Sequence, residues 1–450
     1  MAAEVHSYDV NEQFEFSSKF KKNIFIIGII GLAFFLIGCL MAIFGGGGHG
    51  EEHAQMLDEV AKQSGTAMSG GGEHGYSWLS RLKTNLWINN VYFTGLALAG
   101  LFFFAIQYVA MAGWSVAFLR IFKAFSGFLP VAAILMFAVF AWELVDHSLF
   151  HWLDHSLYEE GTATYDSIID GKQSFFFNPF SDHAGFPIFF VIRMVIFLGG
   201  WILFSMWMGK EHFAEDLEGG TKRYRKLVRI SAGFIVFFGI SSSASAWDWI
   251  LSIDTHWFST MFGWYVFASW FVAALAGMTF LICVLKDAGY LKIVNENHLH
   301  DMAKFVFAFS IFWTYIWLSQ FLLIYYANIP EEGIYFLERL TSDYYGKIIF
   351  INLFLNFAFP FLALMTRNAK RKTLILKIVC LVVLVGHWSD FYLMITPGTL
   401  KEHGTFGFLE IGTVLMYTAL FAFVVLSTLA KKPLIAKNHP MIEECVYHTT

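Results

Sequence analysis

Seven ionisable residues fall within or at the rim of long apolar runs, and their types suit proton transfer. Glu143, Asp146 and His147 stand at i, i+3 and i+4, so a helix places them on one face. Asp248 lies between Trp247 and Trp249, His387 and Asp390 are three apart, and Arg193 is the one charge in its run. Carboxylates and imidazoles exchange protons with water, and histidine titrates near neutral pH. Inside a bilayer such a group is costly unless it faces a cavity, a partner or a conducting path. The pattern points to an aqueous half-channel or a quinone pocket. The plainer alternative is structural: Arg193 locks two helices together, and Asp248 sits at the interface where tryptophans anchor. In either case Arg193 is expected to pair with Glu143 or Asp248.

Other chemistries fit less well. His147 and His387 could ligate haem, but two bis-His haems need four intramembrane histidines. Cys39, Cys283, Cys380 and Cys445 form no CxxC pair and no CxxCH, which reads as small apolar side chains rather than cofactor ligands. His49, His53 and His74, with Glu51 and Glu52, have no defensible ligand spacing and lie among glycines, as in a solvated loop.

The elements that hold these residues follow from composition. Of 450 residues 57% are hydrophobic and only 14% charged, against about 25% charged in a soluble domain. A net charge of −5 gives no sign of a nucleic-acid partner. Ten apolar runs reach the ~20 residues that span a bilayer: 24–44, 86–112, 128–150, 187–208, 228–251, 260–285, 303–327, 347–365, 373–395 and 406–430. They are continuously apolar, so helices are expected rather than a barrel. The polar stretch 1–18 argues against a cleaved signal peptide, so the first run is expected to stay. With the N-terminus inside, 22 of the 30 Lys and Arg fall on inner stretches and seven on outer ones, Lys83 among the seven. Both termini are therefore expected in the cytoplasm. A rise of 1.5 Å per residue puts Glu143 about 22 Å, His387 about 20 Å, Asp390 about 24 Å and Asp248 about 27 Å from the inner face, with Arg193 about 9 Å from the outer one. All fall in the outer half. The inner half offers little beyond Ser241–Ser245, Gln107 and Tyr108, which leaves any continuous path thin.

Two stretches are distinctive: the run from Ser241 to Tyr265 that contains Trp247-Asp248-Trp249, and the run from Trp313 to Glu332 that contains Trp317-Leu318-Ser319-Gln320. With the ten-helix plan they resemble the NrfD/PsrC-like membrane subunits of bacterial alternative complex III, over essentially the whole chain. That resemblance implies an all-α integral membrane protein of two four-helix bundles plus two flanking helices. The corresponding divisions are 1–23 (cytoplasmic segment), 24–85 (first helix and Gly/His-rich outer loop), 86–251 (first bundle), 252–396 (second bundle) and 397–450 (last helix and tail). It further implies a subunit of a respiratory quinol:electron-acceptor oxidoreductase in the bacterial inner membrane. No cofactor is expected in this chain; haem c and iron–sulfur clusters belong to partner subunits. A paralogous NrfD-like subunit is an expected partner, and that subunit generally oxidises the quinol. The leading expectation is a scaffolding, proton-conducting subunit whose half-channel is lined by Glu143, Asp146, His147, Arg193, Asp248, His387 and Asp390. A second quinol-binding subunit, with quinone as ligand, is the alternative, and a secondary transporter a third. A transporter's broken midplane helices are not evident in the glycine and proline pattern.

Overall fold

The computed structural model describes residues 12–44, 77–178 and 185–449. The Gly/His-rich stretch 45–76, with its five His and Glu candidates, lies outside them. Among the described residues ten helices are long and apolar enough to cross a membrane. They are α1 (Ser18–Phe44), α2 (Trp78–Val109), α3 (Gly113–Asp146), α4 (Ile188–Glu218), α5 (Lys222–Trp249), α6 (Phe262–Asp287), α7 (Glu296–Ala327), α8 (Tyr345–Ala363), α9 (Thr373–Leu400) and α10 (Phe408–Leu429). No strand occurs among the described residues. The chain is an all-α, multi-pass membrane protein, and each apolar run became one helix.

Several helices outrun their hydropathy. Helix α2 begins at Trp78 rather than 86, which draws Lys83 inside it, and α4 continues to Glu218 rather than stopping at 208. Helix α3 breaks at a 3-10 turn, Ser126–Phe128, and restarts with Pro130 in its first turn, where the missing N–H costs nothing. Helix α8 widens into a π turn, Phe354–Ala358, just ahead of Pro360, which cannot donate to the preceding turn.

Helices α2 to α5 pack in a closed ring, each against its neighbours, and α6 to α9 form a second ring. Helices α2 and α6 touch along the seam, and α2 also meets α9 and α10. Glycine permits the closest approach: a Cβ on Gly95 would lie 1.8 Å from the Trp270 ring of α6. Helix α1 lies almost wholly exposed and packs on α10. There a Cβ on Gly38 would come within 2.4 Å of the Leu409 backbone, and one on Gly412 within 2.3 Å of that of Phe35. Small residues at a crossing let two backbones pack closely where lipid gives no hydrophobic drive.

Both terminal segments lie at one end of the molecule. Leu434 N donates to Glu12 O at 2.7 Å and Gln13 Nε2 to Ala430 O at 2.9 Å. The opposite end carries the longer connections, among them the amphipathic helix Pro330–Thr341, whose Arg339 is buried. It donates to Leu393 O, Tyr335 O, Met394 O and, at 2.8 Å, to Asp254 Oδ2.

Candidate functional site

The seven expected site residues divide into three sets, with His147 apart. In the first bundle Glu143 is buried on α3, and Lys83 of α2 donates to its Oε2 at 3.0 Å and to Asp146 Oδ1. The other oxygen, Oε1, accepts Leu149 N at 2.6 Å and Phe150 N at 2.9 Å, which turns the chain after the helix end. Both oxygens are engaged, and the half-exposed Asp146 completes the charge balance. The sequence reading counted Lys83 as an outer-loop cation; it is fully buried. A lysine in lipid needs such a partner. His147 ends α3 in the left-handed conformation, φ 49°. It lines a surface groove with His155 and Phe186.

The second set is a closed pair. Arg193 Nε and NH2 donate to Asp248 Oδ2 and Oδ1 at 2.7 and 2.8 Å, and NH1 to Phe175 O at 2.8 Å. The guanidinium lies 4.2 Å from the Phe175 ring centre and 4.7 Å from that of Phe189. Of the two acids expected for Arg193, Asp248 is its partner and Glu143 is not. A bidentate, doubly stacked guanidinium is a strong structural tie between α4 and α5.

The third set differs in kind. Asp390 of α9 is fully buried in the second bundle and is reached by four neutral donors. Its Oδ1 accepts Tyr265 Oη and, at 2.9 Å, Asn352 Nδ2; its Oδ2 accepts Ser269 Oγ at 2.8 Å and Trp313 Nε1 at 2.9 Å. Helices α6, α7, α8 and α9 each supply part of this ring. Among the described residues no lysine or arginine reaches the carboxylate. His387 Nδ1 lies 2.9 Å from Ser269 Oγ. With Asp390 ionised, Ser269 spends its one proton on the carboxylate and His387 donates from Nδ1. This leaves Nε2 as a bare, buried base with no hydrogen-bond partner among the described residues. The result is a relay: imidazole, hydroxyl, carboxyl.

A small cleft with room for about one water borders this ring, lined by Tyr265, Asn352, Gln320 and Arg339 with Trp317 and Phe336. Tyr265 and Asn352 therefore touch the carboxylate on one side and the cleft on the other. The sequence reading named Asp390 and His387 but not Tyr265, Ser269, Trp313 or Asn352. Tyr265 and Trp313 each end one of the two distinctive stretches, but neutral donors carry no charge to mark them.

The polar inventory of the terminal end is also larger than expected. Tyr108 Oη lies 2.7 Å from His212 Nδ1 and donates to Glu215 Oε2 at 3.0 Å, and Arg120 NH2 meets Asp216 Oδ2 at 2.6 Å. Further along α4, Ser205 joins Lys123 and Ser126 through bonds of 2.9 to 3.0 Å, and Trp201 Nε1 donates to Ser241 Oγ at 2.8 Å. Polar groups thus run up the inside of the first bundle from Glu215 to Ser241. Hydropathy hid them, because His212, Glu215 and Asp216 lie beyond the apolar run of α4.

Among the described residues no group of three or more His, Cys, Asp or Glu has metal-binding geometry. No family model matches the chain, and no curated protein matches it.

Proposed function

We propose that the chain is a scaffolding and proton-conducting membrane subunit of a respiratory quinol:electron-acceptor oxidoreductase, an NrfD/PsrC-like component of an alternative complex III. On this reading it sits in the bacterial inner membrane with both termini cytoplasmic. Haem c, iron–sulfur clusters and a paralogous membrane subunit belong to its partners. The membership in such a complex rests on the two distinctive stretches and the ten-helix plan; the orientation rests on the bias of basic residues.

The observation that carries proton conduction is Asp390. A buried carboxylate tied to a cation, as in Arg193–Asp248, has its charge fixed. A buried carboxylate ringed by neutral donors has no counter-charge, so a proton is what neutralises it. The relay from His387 Nε2 through Ser269 brings a proton to Oδ2. Tyr265 offers an exit from Oδ1 to the cleft, and so to the outer face. In this reading Asp390 and His387 are the conducting groups. Glu143, Asp146, Arg193 and Asp248 hold the first bundle's outer end in shape.

A second reading has one observation in its favour. The cleft beside Tyr265 has an aromatic and amide lining that suits a quinone ring, although as it stands it holds only about one water and would have to widen to admit the ring. A quinone there would place this chain among the quinol-binding subunits.

The test is the complex reconstituted in vesicles, with quinol oxidation and proton release measured together. Asp390→Asn keeps acceptor and shape but cannot shuttle a proton. It is expected to assemble normally and to slow proton release on the order of a hundredfold, the loss typical of a missing acid–base group. Wild-type rate and stoichiometry in an assembled Asp390→Asn complex would refute conduction through this residue.

A further inference from the structure

The C-terminal segment after α10 covers the Tyr108–His212–Glu215 cluster at the terminal end of the first bundle. Pro433 O accepts from Arg120, and Asn438 binds Asp216 twice, through Nδ2 to its carbonyl at 2.6 Å and through N to Oδ1 at 3.2 Å. His439 points inward, its Nε2 3.8 Å from Glu215 Oε1. Further on, Cys445 Sγ is fully buried, 3.4 Å from both Trp114 O and His298 Nε2, and His448 Nε2 meets Asp301 Oδ2 at 2.6 Å. Beneath this cover Glu215 Oε1 and His212 Nε2 are buried without a hydrogen-bond partner among the described residues.

We infer that residues 434–448 form a proton-gated lid over a proton-uptake site built from Tyr108, His212 and Glu215, with His439 as the trigger. The inference rests on the proton-conducting reading and on a cytoplasmic terminal end.

The trigger follows from the bonding of one ring. His439 Nδ1 accepts the backbone N–H of Met441 at 3.1 Å, so the neutral ring carries its proton on Nε2, toward Glu215. A second proton must go to Nδ1, where it would meet the Met441 N–H head on. Protonation therefore breaks the bond that turns the lid and leaves an imidazolium in a dry pocket. The surroundings add to the penalty or leave it standing. From α4 the ring meets Glu215 and His212, from α2 Tyr108, from α5 Tyr224, and nearby stand Arg120 of α3, already paired with Asp216, Lys123, and Lys432 just ahead of the lid. Glu215 is the one acid among them with a carboxylate oxygen that has no hydrogen-bond partner among the described residues, and a proton held there leaves His439 neutral. It is the proton on His439 Nδ1 that opens the lid.

Burial holds the His439 imidazole down at about 4, from the ordinary 6.5. For His439 the open lid binds the proton more readily between those values, so its share of closure is complete above 6.5 and is lost as pH falls toward 4; Glu215, an acid buried under the same lid, titrates in the opposite sense, so the profile is read with Glu215→Gln in place.

Cys445 reports the lid. In the assembled Glu215→Gln complex its labelling by a maleimide from the terminal end, divided at each pH by the rate at an exposed Tyr447→Cys thiol, is expected to rise about 25-fold between pH 7.5 and 5, the factor one proton linked to His439 gives. His439→Asn offers Met441 an acceptor that does not titrate, so it should keep the lid shut and flatten the profile. A flat profile in Glu215→Gln, or one that survives when His439→Asn is added to it, overturns the gate. For the site, Glu215→Gln is expected to slow proton release at least tenfold. Wild-type release in Glu215→Gln beside impaired release in Asp390→Asn overturns the uptake site and leaves the proposed function standing. Wild-type release in both overturns the two together.

Discussion

Lys83 and Asp390 meet opposite demands in the same apolar surroundings. Lys83 is a full charge satisfied by two carboxylates, whereas Asp390 is an acid whose four bonds all come from neutral groups. The first arrangement should act in stability and the second in proton movement. Glu143→Gln leaves Lys83 with the half-exposed Asp146 alone, and breaking a buried pair from one side costs about 3 kcal/mol. Lys83→Met added to it removes the stranded charge and should recover most of the loss. A thermal-melting double-mutant cycle in detergent checks this; an unchanged midpoint in Glu143→Gln alone would show that the pair holds nothing. The residues that carry charge in the apolar runs were legible in the sequence, because lipid makes every charge conspicuous. Their partners were legible only in part. Arg193 and Asp248 matched by depth, but Lys83 was hidden by its place ahead of the apolar run, and the donors around Asp390 by their neutrality.

At the scale of the element, the runs gave helix number and order but not helix ends. Hydropathy stops at a charge; a helix continues for as long as the charge finds a partner. Glu211 illustrates this in α4, where Lys226 Nζ at 2.5 Å and Arg223 NH1 at 3.1 Å let the helix proceed to Glu218. Pairwise packing was also beyond an apolar run, since lipid-facing and helix-facing leucines look alike. Small residues mark it better. Gly31, Gly38 and Gly412 set the crossing of α1 on α10, which is nearly the whole attachment of α1 to the fold. Gly38→Leu is expected to push α1 off α10, at a cost of about 2 kcal/mol. Cysteine pairs across the crossing, which should cross-link fully in the parent, are then expected to cross-link weakly. Undiminished cross-linking would mean that the backbones can part and re-pack without loss.

For the whole molecule, ten crossings and the meeting of both terminal segments at one end agree with each other, and the remaining question is which side that end faces. The bias of basic residues says the cytoplasm. The structure alters that count in detail without reversing it: Lys83, taken as outer, is buried in α2, and Arg120, taken as inner, is buried in α3. It also rules out the simplest probe. Cys445 is fully buried against Trp114 and His298, so its silence toward an impermeant reagent would say nothing about sidedness. Tyr447, two residues on, is 70% exposed. Tyr447→Cys in a Cys445→Ser background, kept at pH 7.5 so that the segment stays docked, is expected to resist an impermeant maleimide in intact cells and to react in inside-out vesicles. Glu402→Cys, exposed in the α9–α10 connection at the opposite end, should show the reverse. The two sites bracket the molecule, so a reagent that fails to reach the membrane at all would silence both and be recognised. Labelling of Tyr447→Cys in intact cells, with Glu402→Cys protected, would invert the protein. The Asp390 cleft would then open to the cytoplasm, and the lid over Glu215 would sample the opposite compartment.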